Sequence, residues 1–279
     1  MTYPADSHVH SEWSWDAQNG SMEGSCARAV ELGLPAIAFT EHLDHTVWTA
    51  ELVGLDADHP VAALSDPDGR LTPPPLDVAG YLESIERCRS RFPDLRILSG
   101  LELGEPHWHA EATSQVLASG NFDRVLGSLH CLPDGDGFRE PNDLFGHRDP
   151  DEVLRTYLIE IARLVDQSDA FSVLGHIDYA ARSWPDDRGP FDSTLFEDEF
   201  RHALRTTAQS GKALEINTVI PLQAIIVQWW REEGGDAVTF GSDAHDPSTV
   251  ARSFADAASM AEAHGFRPGR DPLAFWARS

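Results

Sequence analysis

Two histidines one residue apart, His8 and His10, close the first apolar run of the chain. On an extended strand, side chains two apart share a face, so both imidazoles can aim lone pairs into one site. Alone, such a pair is as well explained by surface or buried histidines. Distant donors give it meaning. Glu102 follows the apolar run at 97–101, Asp243 follows Gly241-Ser242, and His130 and His176 each end a short apolar stretch. His42 and His245 add imidazoles, and Asp16 adds a carboxylate. Neutral imidazole with carboxylate suits zinc, manganese, iron or cobalt, whereas a magnesium or calcium site is usually richer in oxygen.

These residues need a scaffold that brings them together. Apolar runs predict seven strands, at residues 3–9, 36–40, 96–101, 124–128, 171–174, 213–216 and 237–240. Helical periodicity between and after them predicts helices at 22–33, 78–92, 111–119, 152–169, 195–210, 222–233 and 255–263. Ser21 and Asp77 are expected N-caps, and Gly33, Gly211 and Gly234 are expected helix exits. Pro35 reinforces the first exit. The donors fall at the C-terminal ends of successive strands: His8 and His10, Glu41 and His42, Glu102, His130, His176 and Asp178, Asn217, then Asp243 and His245. An α/β barrel gathers such ends into one mouth. No repeat or interdomain linker is visible, so residues 1–279 read as one domain. A turn-rich excursion over residues 45–75 crosses one face.

Composition narrows the partners. The 279 residues include 46 acidic and 21 basic ones, a net charge of −25, with Lys212 the sole lysine. Long nucleic acid and acidic lipid both require a positive face, so neither is an expected partner. A small anion is not excluded, because bound cations reverse the local sign. Cys26, Cys88 and Cys131 form no CxxC pair, which argues against a disulfide framework or thiolate zinc site. The stretch from Met1 to His10 lacks a basic-then-apolar leader, and no run reaches the ~18 apolar residues that span a bilayer. A cytoplasmic location is expected; oligomeric state is left open.

The ordered set His8-Val9-His10, Thr40-Glu41-His42, Glu102, Gly127-Ser128-Leu129-His130, Gly175-His176-Ile177-Asp178 and Gly241-Ser242-Asp243-Ala244-His245 resembles the polymerase-and-histidinol-phosphatase (PHP) superfamily. The stretches 99–104 and 214–218 support the likeness, which runs over residues 6–266 and points to the stand-alone histidinol-phosphatase branch. The resemblance implies a distorted barrel of seven β/α units, TIM-like, with three divalent transition-metal ions, manganese, zinc or iron. It implies a first ion on His8, His10, Glu102 and Asp243. A second ion would share Glu102 and add His130 and His176. A third would use Asp16, His42 and His245, with Asp16 standing where some relatives carry histidine. Hydrolysis of L-histidinol phosphate is the implied activity.

The chemistry of the residues reaches metal-assisted hydrolysis of a small phosphorylated metabolite. Clustered cations bind phosphoryl oxygens and activate water, so water rather than a side chain is the expected nucleophile, with Glu102 bridging. Arg182 is the expected phosphate clamp, since guanidinium grips two oxygens in a fork; a surface ion pair is the plainer alternative. Asp178 and Glu41 adjoin ligand histidines and are expected to orient an imidazole or move a proton, with Asp6 also behind the ligands. Trp13, Trp15 and His45 are expected to touch the substrate. His59, His107 and His109 have weaker grounds, and Trp229-Trp230 reads as core or subunit contact. A PHP phosphoesterase for a nucleotide or sugar phosphate, and a non-catalytic metal-dependent module, remain as alternatives.

Overall fold

The computed structural model describes residues 3–56 and 59–279. Met1 and Thr2 of the opening stretch, and Ala57 and Asp58 of the excursion, lie outside the described residues. Seven parallel strands run in sequence order through one sheet: β1 (Asp6–Val9), β2 (Ala36–Asp44), β3 (Arg96–Gly104), β4 (Arg124–Ser128), β5 (Val173–Leu174), β6 (Ala213–Asn217) and β7 (Ala237–Gly241). Each is followed by a helix: α1 (Met22–Leu32), α2 (Val78–Arg91), α3 (Ala110–Leu117), α4 (Pro150–Gln167), α5 (Glu197–Gln209), α6 (Ala224–Glu232) and α7 (Phe254–Ala263). This is the expected alternation, in a curled sheet of the distorted PHP-barrel type. β1 and β7 meet at a seam, where His10 N donates to Ala244 O at 2.9 Å and Asp243 N to His8 O at 2.8 Å. Beyond β7 the sheet gains an antiparallel pair, β8 (Phe266–Arg267) and β9 (Trp276–Arg278), which composition had not suggested.

Local chemistry sets the boundaries. The Ser21 side chain accepts from Gly24 N at 3.1 Å, and that of Asp77 from Gly80 N at 3.0 Å, so both expected caps form. Gly33 leaves α1 at φ 70°, a conformation that costs glycine little. The core is contiguous between sheet and helices, with Phe39, Leu101, Leu174 and Ile216 from strands against Tyr81, Tyr157, Phe200 and Trp230 from helices. Trp229 and Trp230 are both buried on α6, and Trp230 Nε1 donates to Ala237 O at 3.1 Å, so that pair is core.

Two strands outrun their apolar stretches. β2 and β3 pair residue for residue from Ala36 with Arg96 to Asp44 with Gly104. Glu41, His42 and Glu102 are therefore strand residues, held by ladder bonds rather than carried on loops. The excursion is built from a two-stranded ribbon, Trp48–Thr49 against Arg70–Leu71, and a short helix, Pro60–Leu64. No helix of the described residues is long and apolar enough to cross a membrane.

Candidate metal centre

The C-terminal ends of the strands, with Asp16 from the turn after β1, bring the expected donors to one place. His8 and His10 enter from β1, and their Nε2 atoms stand 3.1 Å apart. Glu102 Oε2 lies 3.2 Å from His8 Nε2 and 3.3 Å from His10 Nε2. Asp243 Oδ1 lies 3.3 Å from His10 Nε2 and 3.7 Å from His8 Nε2. Two donors each ~2.1 Å from a tetrahedral zinc stand about 3.4 Å apart, so these four groups have the spacing of a coordination shell. On the other side of Glu102, Oε1 lies 2.7 Å from His176 Nε2 and 3.3 Å from His130 Nε2. Asp16 Oδ2 lies 3.3 Å from both His42 Nε2 and His245 Nε2.

Such a gathering of acids and imidazoles is costly without cations to share. Asp16 Oδ1, Glu102 Oε2, His42 Nδ1 and His176 Nδ1 are all buried without a hydrogen-bond partner. Burial opposes the charge on Glu102, yet His8, His130 and His42 pull its carboxyl well below the usual range. Burial likewise opposes charge on His42, while Asp16, Asp44 and Glu102 raise it to about 10. His8 and His130 are also raised against burial by their carboxylate neighbours. Mutually charged donors around a common centre, with orphaned lone pairs, suit metal ions.

The supporting contacts differ from those expected. Glu41 does not orient its neighbour His42. It accepts from Ser11 N at 3.0 Å and from the Ser14 hydroxyl at 2.5 Å, and Ser14 Oγ in turn lies 3.0 Å from His10 Nδ1. Asp6 takes no imidazole; it accepts from Ser242 N at 3.0 Å and Ala251 N at 2.9 Å, holding the turn that carries Asp243. Asp243 sits in that turn at φ 51°. The carboxylate that does orient His8 is Glu215 on β6, with Oε1 2.7 Å from His8 Nδ1. Its Oε2 accepts from His176 N at 2.7 Å. The motif stretches contained Glu215 but suggested no role for it, because it is a single acid inside an apolar strand. Ser128, whose hydroxyl donates to Glu102 Oε1 at 2.6 Å, likewise stood in a motif without a role of its own.

A cavity of about 430 Å³ opens over the cluster. Metal-side residues form its floor, Trp15, Trp48, Pro60 and Val61 form an apolar wall, and Glu105 and Glu140 add acid. Arg182 reaches the floor, with Nη2 2.7 Å from Asp243 Oδ2 and its guanidinium 5.1 Å from the Tyr179 ring centroid. Its Nε is buried and unpartnered. Asp178 is buried and pushed up to about 6 by desolvation, against the pull of Arg182. Burial pushes Glu140 to about 7; its Oε1 accepts from the Tyr179 hydroxyl at 3.3 Å.

Not every aromatic or histidine named from sequence lines this cavity. Trp15 does, and so does His59. Trp13 packs on α2 with Nε1 donating to Ser84 Oγ at 3.1 Å, and faces a separate cavity of about 330 Å³ that also touches Trp15 and His42. His45 turns toward His109, ring centroids 5.8 Å apart. His107 Nε2 lies 3.0 Å from Glu160 Oε1, and His109 Nε2 lies 2.9 Å from Thr46 Oγ1. Cys131 lines the cavity as a buried thiol, raised well above its usual range by desolvation.

Residues 6–219 match the PHP domain family. The chain belongs to that family. Among relatives of this PHP chain, the histidinol-phosphatase of Lactococcus lactis subsp. lactis is 27% identical over 253 residues, covering 86% of this chain and 83% of the relative. A probable histidinol-phosphatase of Deinococcus radiodurans is 27% identical over 278 residues, covering 92% of each. Among solved structures, that of the L. lactis histidinol phosphate phosphatase in complex with zinc, L-histidinol and phosphate superposes with a TM-score of 0.78. That match covers 99% of both chains at 23% identity, which speaks to the fold.

Proposed function

We propose that this PHP protein is a metal-dependent phosphomonoesterase that hydrolyses L-histidinol phosphate to L-histidinol and phosphate. The observation that carries the reading is the set of donors spaced 2.7–3.7 Å apart around Glu102, under a cavity that also holds Arg182. The relatives named above supply the substrate. The residues fit three ions: His8, His10, Glu102 and Asp243 for one, Glu102, His130 and His176 for the second, Asp16, His42 and His245 for the third. Manganese, zinc and iron all suit these donors. When bound, such ions act as Lewis acids toward phosphoryl oxygens and lower the pKa of water.

The chain's own residues do the rest. Arg182 keeps one nitrogen on Asp243 and offers the remainder of its fork to phosphate oxygens. Asp178 and Arg182 together hold charge balance beside the reacting group. Trp15 and Trp48, inclined at 57° to one another, give an apolar wall for an imidazole ring. Trp13 and His45 are placed to support this wall and the 45–75 excursion rather than to touch substrate. Glu140 faces the leaving-group side, where its carboxyl suits a cationic amine or can supply a proton to the departing alkoxide. We take residues 1–279 as one PHP unit. The unpaired cysteines support a cytoplasmic setting.

Phosphate release after metal stripping and defined repletion tests the proposal. Turnover of L-histidinol phosphate should return with manganese, zinc or iron, and exceed that of sugar phosphates and nucleotides. Strong turnover of another ester without histidinol phosphate would refute the substrate. No turnover of any ester with verified metal occupancy would leave a binding module.

A further inference from the structure

We infer that Asp44 is a positioning residue shared by two ligand histidines, His42 and His130, and thereby couples the second and third metal sites. The inference rests on the metal reading above. Asp44 ends β2, two residues beyond His42 and on the same strand face. Its Oδ2 lies 3.5 Å from His42 Nδ1, and its Oδ1 lies 3.6 Å from His130 Nδ1. Trp15 Nε1 donates to Oδ2 at 2.9 Å. Oδ1 is buried without a partner, as is His42 Nδ1.

The opposite nitrogens of the same rings face the ligand clusters. His42 Nε2 stands 3.3 Å from Asp16 Oδ2, and His130 Nε2 stands 3.3 Å from Glu102 Oε1. A ring that ligates through Nε2 carries its proton on Nδ1 and needs an acceptor there. His42 Nδ1 also lies 3.2 Å from Glu102 Oε2, but that oxygen already faces His8 and His10. Asp44 is the carboxylate that faces Nδ1 of both rings.

The backbone makes room for this reach. Gly104 stands opposite Asp44 in the β2–β3 ladder. A Cβ there would come within 2.1 Å of Asp44 Oδ1 and 3.5 Å of His130 Nδ1. Any side chain at residue 104 would drive the carboxylate away from His130. His42, Asp44 and His130 also offer three ligand atoms within 4.8 Å of one another. An ion held there through Nδ1 would require both rings to bind metal through both nitrogens, with an extra proton lost from each. Orientation by Asp44 avoids that cost.

Asp44→Asn, Gly104→Ala, their combination and Trp15→Phe form the test. In the metal-stripped chain, imidazole 15N shifts by NMR should show His42 and His130 losing their preference for the Nδ1–H tautomer in D44N, since Asp44 faces that nitrogen of both rings. His8 should not move. In chelator competition, D44N and G104A should each weaken metal retention by ~10–100-fold at two of three equivalents. The combination should be no worse than D44N alone. W15F removes Asp44's other partner and should keep metal. Unchanged tautomer shifts of His42 and His130 in D44N would overturn the inference. So would loss of a fourth metal equivalent on mutation, which would mark an ion site instead. A wild-type chain that takes up no metal would refute the metal reading, while the tautomer shifts of the stripped chain would still decide the role of Asp44.

Discussion

Replacing Glu215 by glutamine keeps shape and removes one acceptor. In the native site both carboxylate oxygens meet donors: Oε1 faces His8 Nδ1 at 2.7 Å, and Oε2 accepts from His176 N at 2.7 Å and Asn217 Nδ2 at 3.2 Å. A glutamine has one oxygen to share between these two sides. If its oxygen takes the His176 side, its NH2 faces His8 Nδ1, and the proton of His8 must move to Nε2. That atom is the one 3.2 Å from Glu102 Oε2 and 3.1 Å from His10 Nε2, so its lone pair is lost to the first ion. Loss of such an outer partner costs ~10–100-fold in metal affinity, which is about 1.4–2.8 kcal/mol. If the oxygen instead takes the His8 side, the NH2 meets the His176 and Asn217 donors. A buried unsatisfied donor costs ~1–3 kcal/mol of stability. E215Q should therefore lose either affinity at one metal equivalent or stability of the stripped chain. Chelator competition with metal counting reads the first, and denaturant unfolding of stripped protein reads the second. An E215Q chain with metal affinity within about twofold of wild type and stability within about 0.5 kcal/mol would refute the reasoning.

Two other perturbations probe the same region. Gly241→Ala would place a Cβ 1.9 Å from Glu215 Oε1 and 2.6 Å from His8 Cβ. The neighbours are a pinned carboxylate and a strand, so overpacking should cost ~1–3 kcal/mol in denaturant unfolding and weaken the first ion; wild-type stability would count against this geometry. The pH response of the stripped chain follows from the raised histidines and lowered carboxylates. His42, raised to about 10, contributes stability fully present below its unfolded value near 6.5 and lost as pH rises through about 10. Glu102, Asp16 and Asp243 are lowered, so their contribution is present above the unfolded carboxylate range and lost as pH falls through their folded values. Metal must displace the protons of the raised histidines, so affinity should keep rising with pH until His42 deprotonates near about 10, and binding below that should release protons. Calorimetry in buffers of different ionisation enthalpy measures that release; pH-independent affinity would contradict it.

The barrel units were legible because each strand carries a short apolar run and each helix an apolar stripe. Arg124–Ser128 coincides with its expected bounds. β2 and β3 were read short because polarity rises at Glu41 and Glu102 while the ladder continues. An apolar-run argument ends a strand where charge begins, and here charge begins inside the barrel because ligands converge there. The candidate donors were legible by motif and order, and the structure brings them together at one cavity. Their outer partners were not. Glu215 and Asp44 are isolated acids whose meaning depends on a ring that arrives from another strand. Adjacency misled as well: Glu41 stands next to His42 but serves His10 through Ser14.

The seam between β1 and β7 has an implication for the order in which the chain matures. Its backbone link is a single bridge between Val9 and Ala244, with the paired bonds of His8 and His10 beside it. His8 and His10 lie in the first strand and Asp243 and His245, their neighbours across the seam, follow the seventh, so synthesis separates them by most of the barrel. A nascent chain can thus assemble six strands while the first and third donor sets are still incomplete. On the metal reading proposed above, an ion on the first set would bind only after β7 has joined. It would tie β1 to β7 where few main-chain bonds do so.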